Sequence, residues 1–237
     1  MTQERLPEFF DRAPTLTVQD PLAAFLGAAE NGILTYRYAD AVRLCGHSCP
    51  TVAGAYLMVI KGLKALYGEE LPERGGIEAA MQGTRDEGTV GVTASVVQLL
   101  TGAAPETGFG GIGMQGRFAR RNLLSFGAGE INGTLTLRRK DSGKTVAVSL
   151  NAALQPFAPQ MRDIMPKAVG GSASAKELER FGQLWQARVK AFLTESADDP
   201  QFVIVRELGT FRRHSEFQMP SEPPPNNNKP TPDKHPP

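Results

Sequence analysis

Hydrophobic positions along the chain switch between a spacing of three or four and a spacing of two. Behind Asp20-Pro21, a capping carboxylate followed by proline at a first helical position, Leu22, Phe25 and Leu26 share one helical face, and Asn31-Gly32 closes the segment. Residues 33–38 alternate and predict a strand. Pro50 opens a helix over about 50–66, with Ala53, Leu57, Ile60 and Leu66 on its apolar side and Gly68 at its end. A short strand is predicted over 77–81, a helix over 90–101, a glycine-rich loop over 102–116 and a short strand over 123–126. Residues 131–138 and 144–150 alternate around Asp141-Ser142-Gly143, the clearest hairpin in the chain. Ser174 and Glu177 form a capping box. Leu178, Phe181, Leu184, Trp185, Val189 and Phe192 then line a long amphipathic helix, and residues 202–207 predict a last strand.

Clustered neighbouring strands among helices point to an α+β fold: an antiparallel or mixed sheet with helices packed on one face. The pattern divides the chain into a helical N-terminal arm over 1–32, an α+β domain over 33–208 and a tail over 209–237. From Met219 onward the tail is mostly Pro, Asn, Lys and Ser, too polar to offset its ordering entropy, so disorder is expected there. There is no internal repeat.

Among 237 residues the formal net charge is +1, which implies no bulk attraction to nucleic acid or to an anionic membrane. The longest apolar run, 52–60, is too short to span a bilayer. Residues 1–19 lack the apolar core of a signal peptide, so a cytoplasmic location is the expectation.

Both cysteines and one of three histidines fall in Cys45-Gly46-His47-Ser48-Cys49-Pro50. Thiolate and imidazole bind zinc and similar metals, and they also make and activate a sulfur nucleophile. In an extended segment the Cα atoms of 45 and 49 would lie about 13 Å apart, too far for one metal. The segment must therefore curl, with Gly46 supplying an unusual backbone angle and Pro50 starting a helix. Cys49 would then sit at a helix cap, where the partial positive charge favours a thiolate. Four readings stay open: a buried apolar Cys49 with His47 bonded to a loop carbonyl, a local Cys45–Cys49 disulfide, a metal site, and a Cys49 nucleophile with His47 as base.

Other signals carry less. The G-x-G-x-x-G spacing over 111–116 lacks a preceding strand and a following helix, so it reads as a flexible loop. Arg117, Arg120 and Arg121 read as a solvated basic face, or as the source of one arginine for an anionic substrate. Asp40 is a candidate partner for His47, and Gln98, embedded in an apolar helix, needs a hydrogen-bond partner.

The segment GHSCP followed by TVAGAYLM resembles the signature of the FmdE-like proteins, named for a component of formylmethanofuran dehydrogenase. The resemblance continues through Val96 to Gly102, through Gly108-Phe109-Gly110 and Asn122-Leu123, and through the hairpin GTLTLRRKDSGKTVAVSL. It implies an α+β fold of the FwdE/GAPDH-domain type, a homodimer, and signature Cys and His residues in a groove that holds metal, often zinc. His47 and Cys49 match directly, and Cys45 stands where many members have histidine. Ala103 replaces a second family cysteine, Ser95 an acidic residue and Thr51 a glycine, and no zinc ribbon is present.

The expected function is therefore a metal-binding protein. Cys45, His47 and Cys49 would hold zinc or another divalent transition metal, His47 and Cys49 would be catalytic, and Gln98 and Arg117 would meet a small substrate. The alternatives are a non-enzymatic metal carrier or accessory protein of a redox complex, and a metal-free Cys49/His47 nucleophile site.

Overall fold

The computed structural model of the chain describes residues 4–127 and 133–210. The start of the expected hairpin at 131–132 and nearly all of the expected tail lie outside them. The fold is α+β, with two sheets. Strands β1 (Leu16–Gln19) and β2 (Ile33–Tyr36) pair antiparallel, Leu16 opposite Tyr36. The main sheet has the order β4-β3-β5-β6-β7, from β3 (Ile77–Met81), β4 (Leu124–Ser125), β5 (Leu135–Arg139), β6 (Lys144–Leu150) and β7 (Val203–Thr210). It is a mixed sheet: β3 and β4 run parallel, and the other pairs are antiparallel.

Between β1 and β2 lies α1 (Pro21–Phe25), capped by Asp20. Next come α2 (Tyr38–Cys45), α3 (Pro50–Tyr67), α4 (Val90–Thr101), α5 (Met161–Val169) and α6 (Ala175–Lys190). A π-helical turn, Ala191–Glu195, extends α6. The centre of the fold is α3, which is apolar on almost every side. Val52, Ala53, Tyr56, Leu57 and Val59 have no exposed surface, as expected of a helix enclosed by other elements. It packs against the sheet through β5, β6 and β7 and against α2 and α4 on its other sides. Two glycines let it approach the strands closely. A Cβ at Gly54 would collide with Leu150, and one at Gly62 would lie 2.7 Å from Leu137 Cδ1.

Four expectations change. The helix after Asp20-Pro21 stops at Phe25, and a tight turn carries the chain to Gly32, whose φ of +71° suits glycine. The strand of 33–38 stops at Tyr36, and Tyr38 begins α2, a helix that the spacing of apolar residues does not announce. Strand β1 and helix α5 are likewise additions to the expected elements. Segment 1–32 also does more than form an arm, because Phe9, Phe10, Leu16 and Val18 are buried in the main core.

Candidate functional site

The Cys/His segment is the joint between two helices. Helix α2 ends at Cys45 because Gly46 adopts the left-handed conformation, φ +73°, and returns its N–H to Val42 O at 2.8 Å. Three residues later Cys49 takes the extended N-cap conformation and Pro50 fills the first position of α3. The segment curls, as its glycine and proline predict.

The curl sends the three side chains to different surroundings. Cys49 is buried, and its Sγ accepts the Val52 N–H at 3.5 Å, a helix cap made with sulfur. His47 is exposed, with Nδ1 2.9 Å from the Cys45 carbonyl oxygen. A carbonyl only accepts, so Nδ1 is the donor in this contact. Cys45 is half-buried, and both cysteines are free thiols. Burial, and then the neighbouring Cys49, push the Cys45 thiol above its ordinary pKa.

Ser48 holds the turn in place. Its hydroxyl donates to Gln186 Oε1 at 3.0 Å, and Gln186 Nε2 donates back to Ser48 O at 3.0 Å. With the serine proton committed to Gln186, the Tyr38 hydroxyl, 3.0 Å away, must be the donor to Ser48 Oγ. Tyr38 is fully buried, and that burial pushes its phenol far above the usual range, so it remains a donor.

Cys45 and His47 line a cleft of about 450 Å³ together with Leu44, Arg85, Asp86 and Ser95. The start of α4 borders it, and the Thr89 side chain makes no cap bond there. Arg85 holds Glu106 through two bonds of 2.7 and 2.6 Å, and Asp86 accepts the Thr84 hydroxyl at 2.9 Å.

No protein-family model matches the chain, and no curated protein matches it. Among solved structures, it matches the crystal structure of a tungsten formylmethanofuran dehydrogenase FmdE-like protein from Syntrophus aciditrophicus. That match has 17% sequence identity, 74% coverage of each chain and a TM-score of 0.36. The chain is similar to an FmdE-like protein. A likeness of that depth transfers no residue role and no activity, which rest on this chain's own geometry.

The zinc that the FmdE-like resemblance implies needs three donors brought together. Cys45 and His47 share the cleft, whereas the Cys49 sulfur is engaged at the start of α3. Among the described residues, no group of three or more His, Cys, Asp or Glu side chains is placed to hold a metal ion. As the side chains stand, they do not fit a three-ligand site.

The remaining candidates lie elsewhere. Asp40 spends its oxygens on α2, accepting the Arg37 N–H at 2.8 Å and pairing with Arg43 at 3.1 Å. Gln98 is exposed, and its side chain is not part of the cleft wall. Arg117 stacks over Phe118 and Phe25, with 4.4 and 5.1 Å to the ring centroids. No helix among the described residues is long and apolar enough to cross a membrane.

Arg120, which reads from the sequence as part of a solvated face, is buried. Its Nη2 donates to Asp20 Oδ1 at 2.6 Å, and Arg74 Nη1 donates to Asp20 Oδ2 at 2.9 Å. Asp20 also caps α1, accepting from Leu22 N at 2.9 Å. This network joins residues 20, 74 and 120, which no local motif connects. The one sequence signal for it is the capping Asp20, and local spacing ties that residue to α1 alone.

Proposed function

We propose that the chain is an FmdE-like protein that binds a zinc-class metal ion reversibly in the Cys45–His47 cleft, as an accessory or carrier protein rather than as a zinc hydrolase. The observation that carries this reading is the division of the signature. Cys45 and His47 line the cleft, and Cys49 is a helix cap. Two protein donors leave most of a metal's coordination to water or a small ligand, which favours exchange over tight retention. The raised Cys45 pKa fits the same role, because a thiol held protonated is a poor resting nucleophile and releases its proton when a metal arrives. The small-molecule substrate and homodimer implied by the resemblance, and the cytoplasmic location expected from residues 1–19, belong to this proposal.

Zinc titration of the metal-free full chain against a chromophoric chelator tests it. The expected result is weak zinc binding that Cys45→Ser abolishes and Cys49→Ser retains, since serine caps a helix as well as the thiol does. Absence of zinc binding overturns the reading. So does tight stoichiometric zinc that Cys49→Ser removes, which would instead indicate a three-ligand site.

A further inference from the structure

A second cleft, of about 420 Å³, is lined by Arg74, Arg120 and Lys140 together with Glu73, Gly75 and Phe118. The metal-binding reading makes no use of it. We propose that this cleft binds the oxyanion group, phosphate or carboxylate, of a small organic molecule.

Charge balance is the first support. The cations Arg74, Arg120 and Lys140 meet two acids, Asp20 and Glu73. Asp20 is 3% exposed and already shared between both guanidiniums. One positive charge therefore remains, on a wall that includes an arginine only 7% exposed. Asp20 answers the buried guanidinium of Arg120, so the surplus falls on half-buried Lys140, and a bound anion supplies its counter-ion. Lys140 Nζ has only the Gly75 carbonyl at 3.3 Å as a hydrogen-bond partner among the described residues.

The second support is an unused donor. Arg120 donates to Asp20 and to the Arg74 carbonyl, but its Nε–H is buried with no partner. Native structures rarely leave such a group unmet. A small turn of the guanidinium toward an incoming oxyanion satisfies it with a charge-assisted bond.

The walls also fit an organic anion better than a bare ion. Gly75, at φ +92°, leaves room that any Cβ would take from the Arg120 guanidinium. Phe118 adds an aromatic surface and is held in the left-handed region, φ +65°, which is unusual for a bulky residue. The Arg117 guanidinium lies over its ring, and the Phe25 ring is 5.2 Å away. Such an outlier persists when its surroundings fix it, and outliers of this kind cluster at ligand sites.

Isothermal titration of the full chain at low ionic strength with phenyl phosphate, benzoate and inorganic phosphate tests the proposal. At least one of the two organic anions should bind saturably, more tightly than inorganic phosphate and more weakly as salt is raised. The better of the two identifies the group recognised. Lys140→Ala should weaken binding about tenfold, the scale of one charge-assisted contact. Glu73→Gln, which removes an exposed repelling charge, should tighten it, and this variant keeps the test open if Lys140→Ala fails to fold. Cys45→Ser should leave the affinity unchanged, which separates this cleft from the metal-binding reading. Absence of binding by both organic anions overturns the proposal, as does wild-type affinity in folded Lys140→Ala or in Glu73→Gln.

Discussion

The Cys45–Cys49 turn and the Asp20–Arg74–Arg120 network are built on opposite principles. The turn carries the residues that stand out in the sequence, yet its histidine is exposed and its two sulfurs serve different surroundings. The network consists of residues far apart in sequence, with Asp20 and Arg120 buried and Arg74 half-buried, and it is almost fully hydrogen-bonded. One region has reactive groups with few constraints, and the other has constrained groups with one donor to spare. The difference teaches that residue type marks where chemistry is possible, whereas burial and partner count mark where the fold has fixed charge in place.

The largest expected effect is at the network. Asp20→Ala leaves two guanidiniums without their counter-ion and removes the α1 cap, so the loss of stability in urea unfolding should be about 3–5 kcal/mol. Asp20 also gives the network a pH dependence. Burial alone would raise its carboxyl pKa, but the Arg74 hydrogen bond and the Arg120 charge outweigh burial and lower it. A carboxylate depressed in the folded state stabilises fully above its unfolded value, about pH 4, and that contribution is lost as pH falls through the folded value. Asp20→Asn should flatten stability against pH in this acid range. Equal slopes for wild type and variant would remove the network as a source of acid sensitivity.

Next in size is Gly75→Ala, which places a Cβ on the Arg120 guanidinium at a φ that favours glycine. About 1–3 kcal/mol of destabilisation is expected, read as a drop in the denaturation midpoint. A smaller effect belongs to the turn. Ser48→Ala should cost about 1 kcal/mol, and a double-mutant cycle with Gln186→Ala should show coupling, since the Ser48 hydroxyl donates to Gln186 Oε1. Additive losses would mean that the turn is not clamped to α6.

Much of the fold was legible in the sequence, and the reasons are local. Helix α3 has a proline start, a glycine stop and an unbroken apolar core, and α6 has a capping box that the structure retains with both reciprocal bonds. Strands β5 and β6 pair across the expected turn. Helix α2 was hidden because alternation in 33–38 ran on past the true end of β2. Its start signal, Asp40 accepting the Arg37 N–H, depends on a backbone bend that spacing does not reveal. Strand β1 has four residues, too few for a period, and α5 contains Pro166, which argues against a helix.

The candidate site was legible in part. Gly46 and Pro50 foretold the bend, but the side chains' directions depended on long-range partners. Ser48 is fixed by Gln186, 138 positions away, and Cys49 by the depth of α3 in the core. Arg120 looked like part of a charged surface because Asp20, its partner, lies 100 residues earlier.

Alkylation of the native protein at pH 9, followed by peptide mass spectrometry, tests most directly whether the two cysteines serve different ends. Cys45 should be modified in the folded state, zinc should slow that modification, and Cys49 should react only as the protein unfolds. Equal labelling of both cysteines, or equal protection of both by zinc, would contradict the division of the signature between a cleft and a helix cap.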